Sequence, residues 1–315
     1  MKAIWLLLSA LLPLGGYAQD PAYPQKGPIE ITVLFPAGSS ADVTARMLAD
    51  GMAKVLEQRV LVVNRPGAGG AIGYKYVQAQ KADGYSLVWS SNSISTTYHS
   101  GQLAFDYQAF DPVARALVES VVVAVRSDSR WKSLGEFIAE AKSKPKIISV
   151  GHSGIGSHTH ISLATLFNVA GAEVNEVPFG AAQVVPSLLG GHVDAVVQLP
   201  GALAAPLKQG QVRLLAVLIQ RRDPALPEVP TAKEQGFDVS LEAWRGIAAP
   251  KGAPKAAIAA LEKAIRATVE SSEFQKASEN LGVHPAFLPA DDFGALIASE
   301  DAFLARVMVT IGLKK

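Results

Sequence analysis

Ile29–Met47 reads IEITVLFPAGSSADVTARM. The alternating and β-branched residues from Ile29 to Leu34 predict a buried strand. Pro36, Gly38, Ser39 and Ser40 break it, and from about Ala41 apolar residues return at helical spacing at Val43, Met47 and Val55. The first N–H groups of a helix entered in this way have no intrahelical partner and lie beside the positive end of its dipole. Such a junction is a ready anion site. For one isolated junction, a serine that merely caps the helix is the plainer reading. A second junction weakens it. Ile148–Phe167 reads ISVGHSGIGSHTHISLATLF, a strand over 147–150 that breaks at Gly151 and passes Ser153, Gly154 and Gly156. It then enters an amphipathic helix with Ser157 as the expected N-cap. Two such junctions face to face would hold one carboxylate between two sets of backbone donors, with no Lys or Arg at the head group.

Around these junctions strands and helices alternate. The expected strands are 29–34, 60–63, 86–90, 121–125, 147–150, 194–198 and 212–218. The expected helices are 41–56, 71–79, 133–144, 159–170, 184–189, 231–235, 254–271 and 291–304. The alternation implies an α/β architecture with mostly parallel sheets, in which ligands gather beyond the carboxyl ends of the strands. The length suits two domains.

The N-terminus has a separate character. Met1-Lys2 leads into an apolar run from Ala3 to Leu14, closed by Gly15-Gly16-Tyr17-Ala18. A basic start, a short apolar core and small residues at the cleavage positions predict a secretory signal peptide cut after Ala18. No later stretch approaches the roughly 18 apolar residues of a membrane span. With no cysteine, disulfides, thiol chemistry and a lipobox anchor are all set aside. The expected location is the periplasm. Cleavage removes Lys2, one of 29 basic residues, and equalises them with the 28 acidic ones. A chain without net charge is not built to bind nucleic acid.

Three enzyme readings compete with binding. Ser153 sits in Gly151-His152-Ser153-Gly154-Ile155, which lacks the second glycine of the hydrolase elbow G-x-S-x-G. An exported serine hydrolase using Ser153 with a histidine is nevertheless kept as the alternative. His152, His158 and His160 raise a metal site. Residues two apart on a helix diverge, and no carboxylate follows at ligand spacing, so the histidines are read as capping or solvent-facing. Arg65–Gly73 (RPGAGGAIG) resembles a dinucleotide fingerprint but misses its spacing and its acidic partner, and is read as a structural turn. Neither a metal nor a cofactor is expected. Ser91 and Asn92 end a strand where they either line a cleft or cap a turn. Phe179-Gly180-Ala181 forms a third small-residue loop before a helix, and Trp244 is read as packing at a crossover.

Ordered motifs then point to one family. They are Pro24 with Ile29–Asp42 (containing FPAGSSAD), Val62–Gly73 (VVNRPGAGGAIG), Asp83-Gly84-Tyr85, Ser153–His160 (SGIGSHTH), Leu188–Asp194, Leu226–Gly236, Trp244–Pro250 and Lys251–Pro254. On these the chain resembles the Bug/TctC family, periplasmic receptors of tripartite tricarboxylate transporters. The resemblance implies a two-domain Venus-flytrap protein without catalytic residues that closes on a small carboxylate. Residues 19–124 with 246–315 would form one domain and 125–245 the other. It implies carboxylate contacts from Phe35, Ala37, Gly38, Ser39 and Asp42 and from Ser153, Gly156, Ser157 and His160. Asp42 is expected to orient its loop, since two anions repel. Ser91, Asn92, Phe179, Gly180 and Ala181 complete the candidate site. Two departures stand out. Ser39 replaces a second glycine, and Phe179-Gly180-Ala181 stands where many members carry Tyr-Lys-Gly, which predicts an aromatic, amide or neutral distal group on the ligand. The expected state is a monomer, handing its ligand to a tripartite tricarboxylate transporter membrane complex or a sensor kinase.

Overall fold

The computed structural model describes residues 23–313, so the expected signal peptide lies outside the described residues. The chain runs β1 (Ile29–Val33), α1 (Ser40–Leu56), β2 (Val60–Asn64), α2 (Ala71–Gln78), β3 (Ser86–Ser91), α3 (Ser93–His99), β4 (Phe110–Glu119) and β5 (Val122–Arg126). It continues α4 (Leu134–Ser143), β6 (Ser149–His152), α5 (His158–Ala170), β7 (Asn175–Pro178), α6 (Val184–Leu189), β8 (Ala195–Gln198), α7 (Pro200–Lys208) and β9 (Val212–Val217). The last elements are β10 (Ala243–Pro250), α8 (Lys255–Val269), α9 (Ser272–Leu281), β11 (His284–Pro289) and α10 (Ala290–Thr310).

Two sheets result. The first has the order β11-β4-β10-β3-β1-β2 and the second β7-β6-β8-β5-β9. Both are mixed, which corrects the expectation of mostly parallel sheets. In the first, β2, β1 and β3 run parallel while β10, β4 and β11 pair antiparallel. In the second, β7, β6 and β8 run parallel and β5 is antiparallel to both its neighbours. In the first sheet the difference comes from strands with weak sequence signals; in the second, β5 falls where a strand is expected and only its direction differs. β4 and β11 carry prolines, and β10 (AWRGIAAP) is buried at every position, so it shows no polar alternation.

The chain crosses between sheets twice, from β4 to β5 and from β9 to β10. The crossings lie side by side, because Ala243 at the start of β10 pairs with Glu119 at the end of β4. Each sheet has its own core. Ile31, Leu48, Trp89 and Phe293 lie in the first, and Phe137, Val150, Leu166 and Leu215 in the second. The final helix enters both, with Phe293 and Ile297 in the first core and Leu304 and Met308 in the second.

Serines open the helices that matter for the site. Ser39 caps α1 by accepting the Asp42 N–H, and Ser157 caps α5 by accepting the His160 N–H. Both satisfy donors that the first turn leaves without partners.

The fit around β10 is tight. A Cβ at Gly246 would come within 2.5 Å of the Phe293 ring and 2.6 Å of the Ala114 carbonyl oxygen, whereas a Cβ at Gly27 meets nothing within 4 Å. Gly246→Ala is therefore expected to lower stability by about 1–3 kcal/mol, the usual effect of overpacking. Urea midpoints should fall for this variant and stay unchanged for Gly27→Ala.

Candidate binding site

The parallel halves of the two sheets aim their carboxyl ends at one place. β1 delivers Phe35 and Ser39, β3 delivers Ser91 and Asn92, β6 delivers Ser153, and β8 delivers Gln198. All six line one small cavity of about 30 Å³. The first turns of α1 (Ser40, Ala41) and α5 (Ser157, His158, Thr159) complete much of its wall. Two helix N-termini, one from each sheet, thus converge on a buried space lined with hydroxyls. Contacts across the sheets hold it shut: the Thr96 hydroxyl bonds the Gly156 carbonyl, and Gln102 Nε2 donates to the Ile155 carbonyl at 3.1 Å.

The expected residues divide between wall and support. Phe35, Ser39, Ser91, Asn92, Ser153, Ser157 and Ala181 line the cavity. Phe179 and Gly180 do not; with Phe35, Ser153, Ala181 and the Pro66–Gly70 turn they line an adjoining recess of about 350 Å³. The turn read as structural therefore also faces this recess. Ala37 and Gly38 are exposed and off the wall of this cavity. The left-handed backbone at Gly38 (φ +79°) swings the loop tip outward, and its N–H is spent on Asp42 Oδ2 at 3.0 Å. Asp42 stays off the wall and holds the loop. Burial pushes its carboxyl up, but bonds from Arg46, Gly38 and Asn64 outweigh this and keep it below the ordinary value. Gly156 and His160 are also supports rather than wall. Asn92 does both: Nδ2 donates to Glu300 at 2.7 Å while Oδ1 accepts the Trp244 N–H at 3.0 Å.

Sequence reasoning missed Ser40, His158, Thr159, Gln198 and above all Arg245 on this wall. Arg245 follows Trp244 on β10, and its Nε donates to the fully buried Glu119 at 3.1 Å. Only the Trp-Arg-Gly triplet inside an apolar run could have flagged it.

The sequence model of the tripartite tricarboxylate transporter family receptor, TctC, matches residues 44–313. The chain belongs to this receptor family. BugT of Bordetella pertussis is 33% identical over 299 residues, covering 93% of this chain and 91% of its own. Among solved structures, R. palustris Rpa4515 with adipate aligns with a TM-score of 0.88 at 25% identity, covering 92% of this chain and 98% of its own. MatC from Rhodopseudomonas palustris with bound malate aligns at 0.84 and 26%, covering 91% and 99%. Among the described residues of this TctC-family chain, no helix is long and apolar enough to cross a membrane.

For a member of a receptor family, the fate of the reactive residues is informative. Ser153 Oγ has Gln198 as its side-chain partner, with Nε2 at 3.1 Å, and an amide cannot take its proton. The hydrolase alternative finds no base there. The histidines are buried, which corrects the solvent-facing reading of His152, His158 and His160. Burial and the neighbouring His160 push His152 down to about 4, and burial with Arg245 nearby does the same to His158.

The second sheet also supplies a carboxylate that spacing did not reveal. The β6–β7 register sets Glu176 beside His160, and the ligand atoms of His152, His160 and Glu176 lie within 4.8 Å of one another. The hydrogen bonds argue against a metal there. His160 Nδ1 accepts the Gly156 N–H at 3.1 Å, which leaves Nε2 as the N–H that donates to Glu176 at 3.1 Å. Metal ligation through Nε2 would put a proton on Nδ1, against the Gly156 donor.

A further titration reaches the cavity wall through Asn92. Burial lifts the Glu300 carboxyl to about 7, against hydrogen bonds from Trp244 and Asn92 that lower it. Between the ordinary 4.5 and 7 the native protein holds a proton that the unfolded chain has lost, so stability falls as pH rises through that window. Glu300→Gln mimics the protonated form. Its urea midpoint should match the parent near pH 5 and exceed it at pH 8; parallel pH profiles would contradict the assignment.

Proposed function

We propose that this chain is a periplasmic receptor that captures a small carboxylate between two domains, and that it does no chemistry on it. One observation carries the reading: the N-termini of α1 and α5, one from each sheet, meet at the same buried, serine-lined cavity. Each contributes backbone donors and roughly half a positive charge, and together they suit a single carboxylate. The adipate and malate bound by the two R. palustris relatives support the ligand class.

In this reading Ser39, Ser40, Ser157 and Thr159 hold the carboxylate, while Asp42, Gly156 and His160 keep the two loops in place. The proposed domains are residues 19–124 with 246–315 and residues 125–245, with exceptions at the margins: β5 lies wholly in the second sheet, β10 wholly in the first, and Leu304 and Met308 of α10 pack in the second core. The two adjacent crossings support hinged closure between them, a motion known in other binding proteins. The receptor works as a monomer, with a tripartite tricarboxylate transporter or a sensor kinase as its membrane partner.

Thermal denaturation with matched carboxylates and carboxamides tests the ligand class. A carboxylate at 100 times its Kd should stabilise the protein by about 2.7 kcal/mol, and its fully amidated analogue should not. Protein refolded free of copurified ligand that responds to no carboxylate would overturn the reading, and ester turnover abolished by Ser153→Ala would favour the hydrolase instead. Export is tested by intact mass: protein recovered from the periplasm should begin at Gln19.

A further inference from the structure

Among the described residues, Arg245 is the one lysine or arginine on the cavity wall. Its side chain is only 6% exposed. Nε donates to Glu119, the guanidinium carbon lies 5.7 Å from the centre of the Phe35 ring, and the Nη hydrogens have no protein acceptor among the described residues. Glu119 is itself fully engaged: one oxygen takes Arg245, and the other accepts the Ser40 hydroxyl. The guanidinium therefore presents donors to the cavity while its charge is answered from behind.

The neighbouring groups add no positive side-chain charge to the wall, and Glu300, bonded to Asn92, adds a negative one when ionised. His158 donates from Nε2 to the Leu241 carbonyl at 3.3 Å, which leaves Nδ1 a buried acceptor without a partner. Two further helix ends meet the wall: that of α3, whose N-cap is Asn92, and that of α7, which opens with Pro200 and so lacks one N–H donor. The N-termini of α1 and α5 supply about one positive unit in sum, and the carboxylate of Glu300, bonded to Asn92, opposes the partial charge at the ends of α3 and α7. One ligand carboxylate balances the unit from α1 and α5. A second carboxylate would bury another anion at a guanidinium already neutralised, with Glu119 close enough to repel it. An amide, ketone or hydroxyl oxygen would accept an Nη–H without adding an anion.

We propose that Arg245, neutralised by Glu119, is the specificity-determining residue of this site and selects a monocarboxylate whose distal group is an uncharged oxygen acceptor, against the diacid of the same length. The inference rests on the carboxylate reading above and deepens it. The recess next to the cavity agrees with it: no lysine or arginine lines it, so it lacks the cation that a second carboxylate would seek.

The test is calorimetric titration at pH 7.5 with three matched pairs: succinate and succinamate, glutarate and glutaramate, adipate and adipamate. The monoamide of the best-fitting length should bind at least about tenfold more tightly than its diacid. Glu119→Gln keeps the shape but frees the charge of Arg245, so the ratio should close or invert in favour of the diacid. A diacid equal to or tighter than its monoamide at every length in the parent protein overturns the inference and leaves the carboxylate reading standing. An unchanged ratio in folded Glu119→Gln does the same. Binding by neither member of any pair sinks both.

Discussion

Glu119 is the point on which the rest of the structure turns. It ends β4, stands opposite the first residue of β10, and takes hydrogen bonds from Arg245 on that strand and from Ser40 in the first turn of α1. Removing one member of a buried ion pair typically costs about 3–5 kcal/mol, because the survivor is left charged without water or partner. The crossing of the chain, the wall of the cavity and the opening of α1 are thus fastened by one carboxylate.

The site draws its positive character from backbone geometry rather than from a cluster of cations. Serines at 39 and 157 start two helices where two strands end, and the N–H groups that no helix can satisfy internally are left facing inward. The surrounding side chains hold those loops still. Asp42 ties Gly38 and Asn64 together, and His160, in a single tautomer, spans Gly156 and Glu176. This division of labour gives Gly156 and His160 a role in the site without their reaching the cavity.

The two junctions were legible because each packs a buried strand, a turn and an N-capping serine into about twenty consecutive residues. Much else was not local. β10 gave no alternation because both of its faces are covered, and the prolines of β4 and β11 read as breaks although they sit in antiparallel strands. Arg245 and Glu119 lie 126 positions apart and are joined only by strand order. His160 meets Glu176 only because β6 and β7 are in register. Ala37 and Gly38 show a further non-local effect: they fit the motif in sequence, and the turn they form leaves them exposed.

The long final helix has an effect on the molecule as a whole. With Phe293 seated in one hydrophobic core and Met308 in the other, neither core can come apart without stripping that helix of half its buried face. Two lobes joined only by extended crossings would be free to melt in separate steps. Here a 21-residue helix divides its burial between both, so the loss of either core exposes part of it.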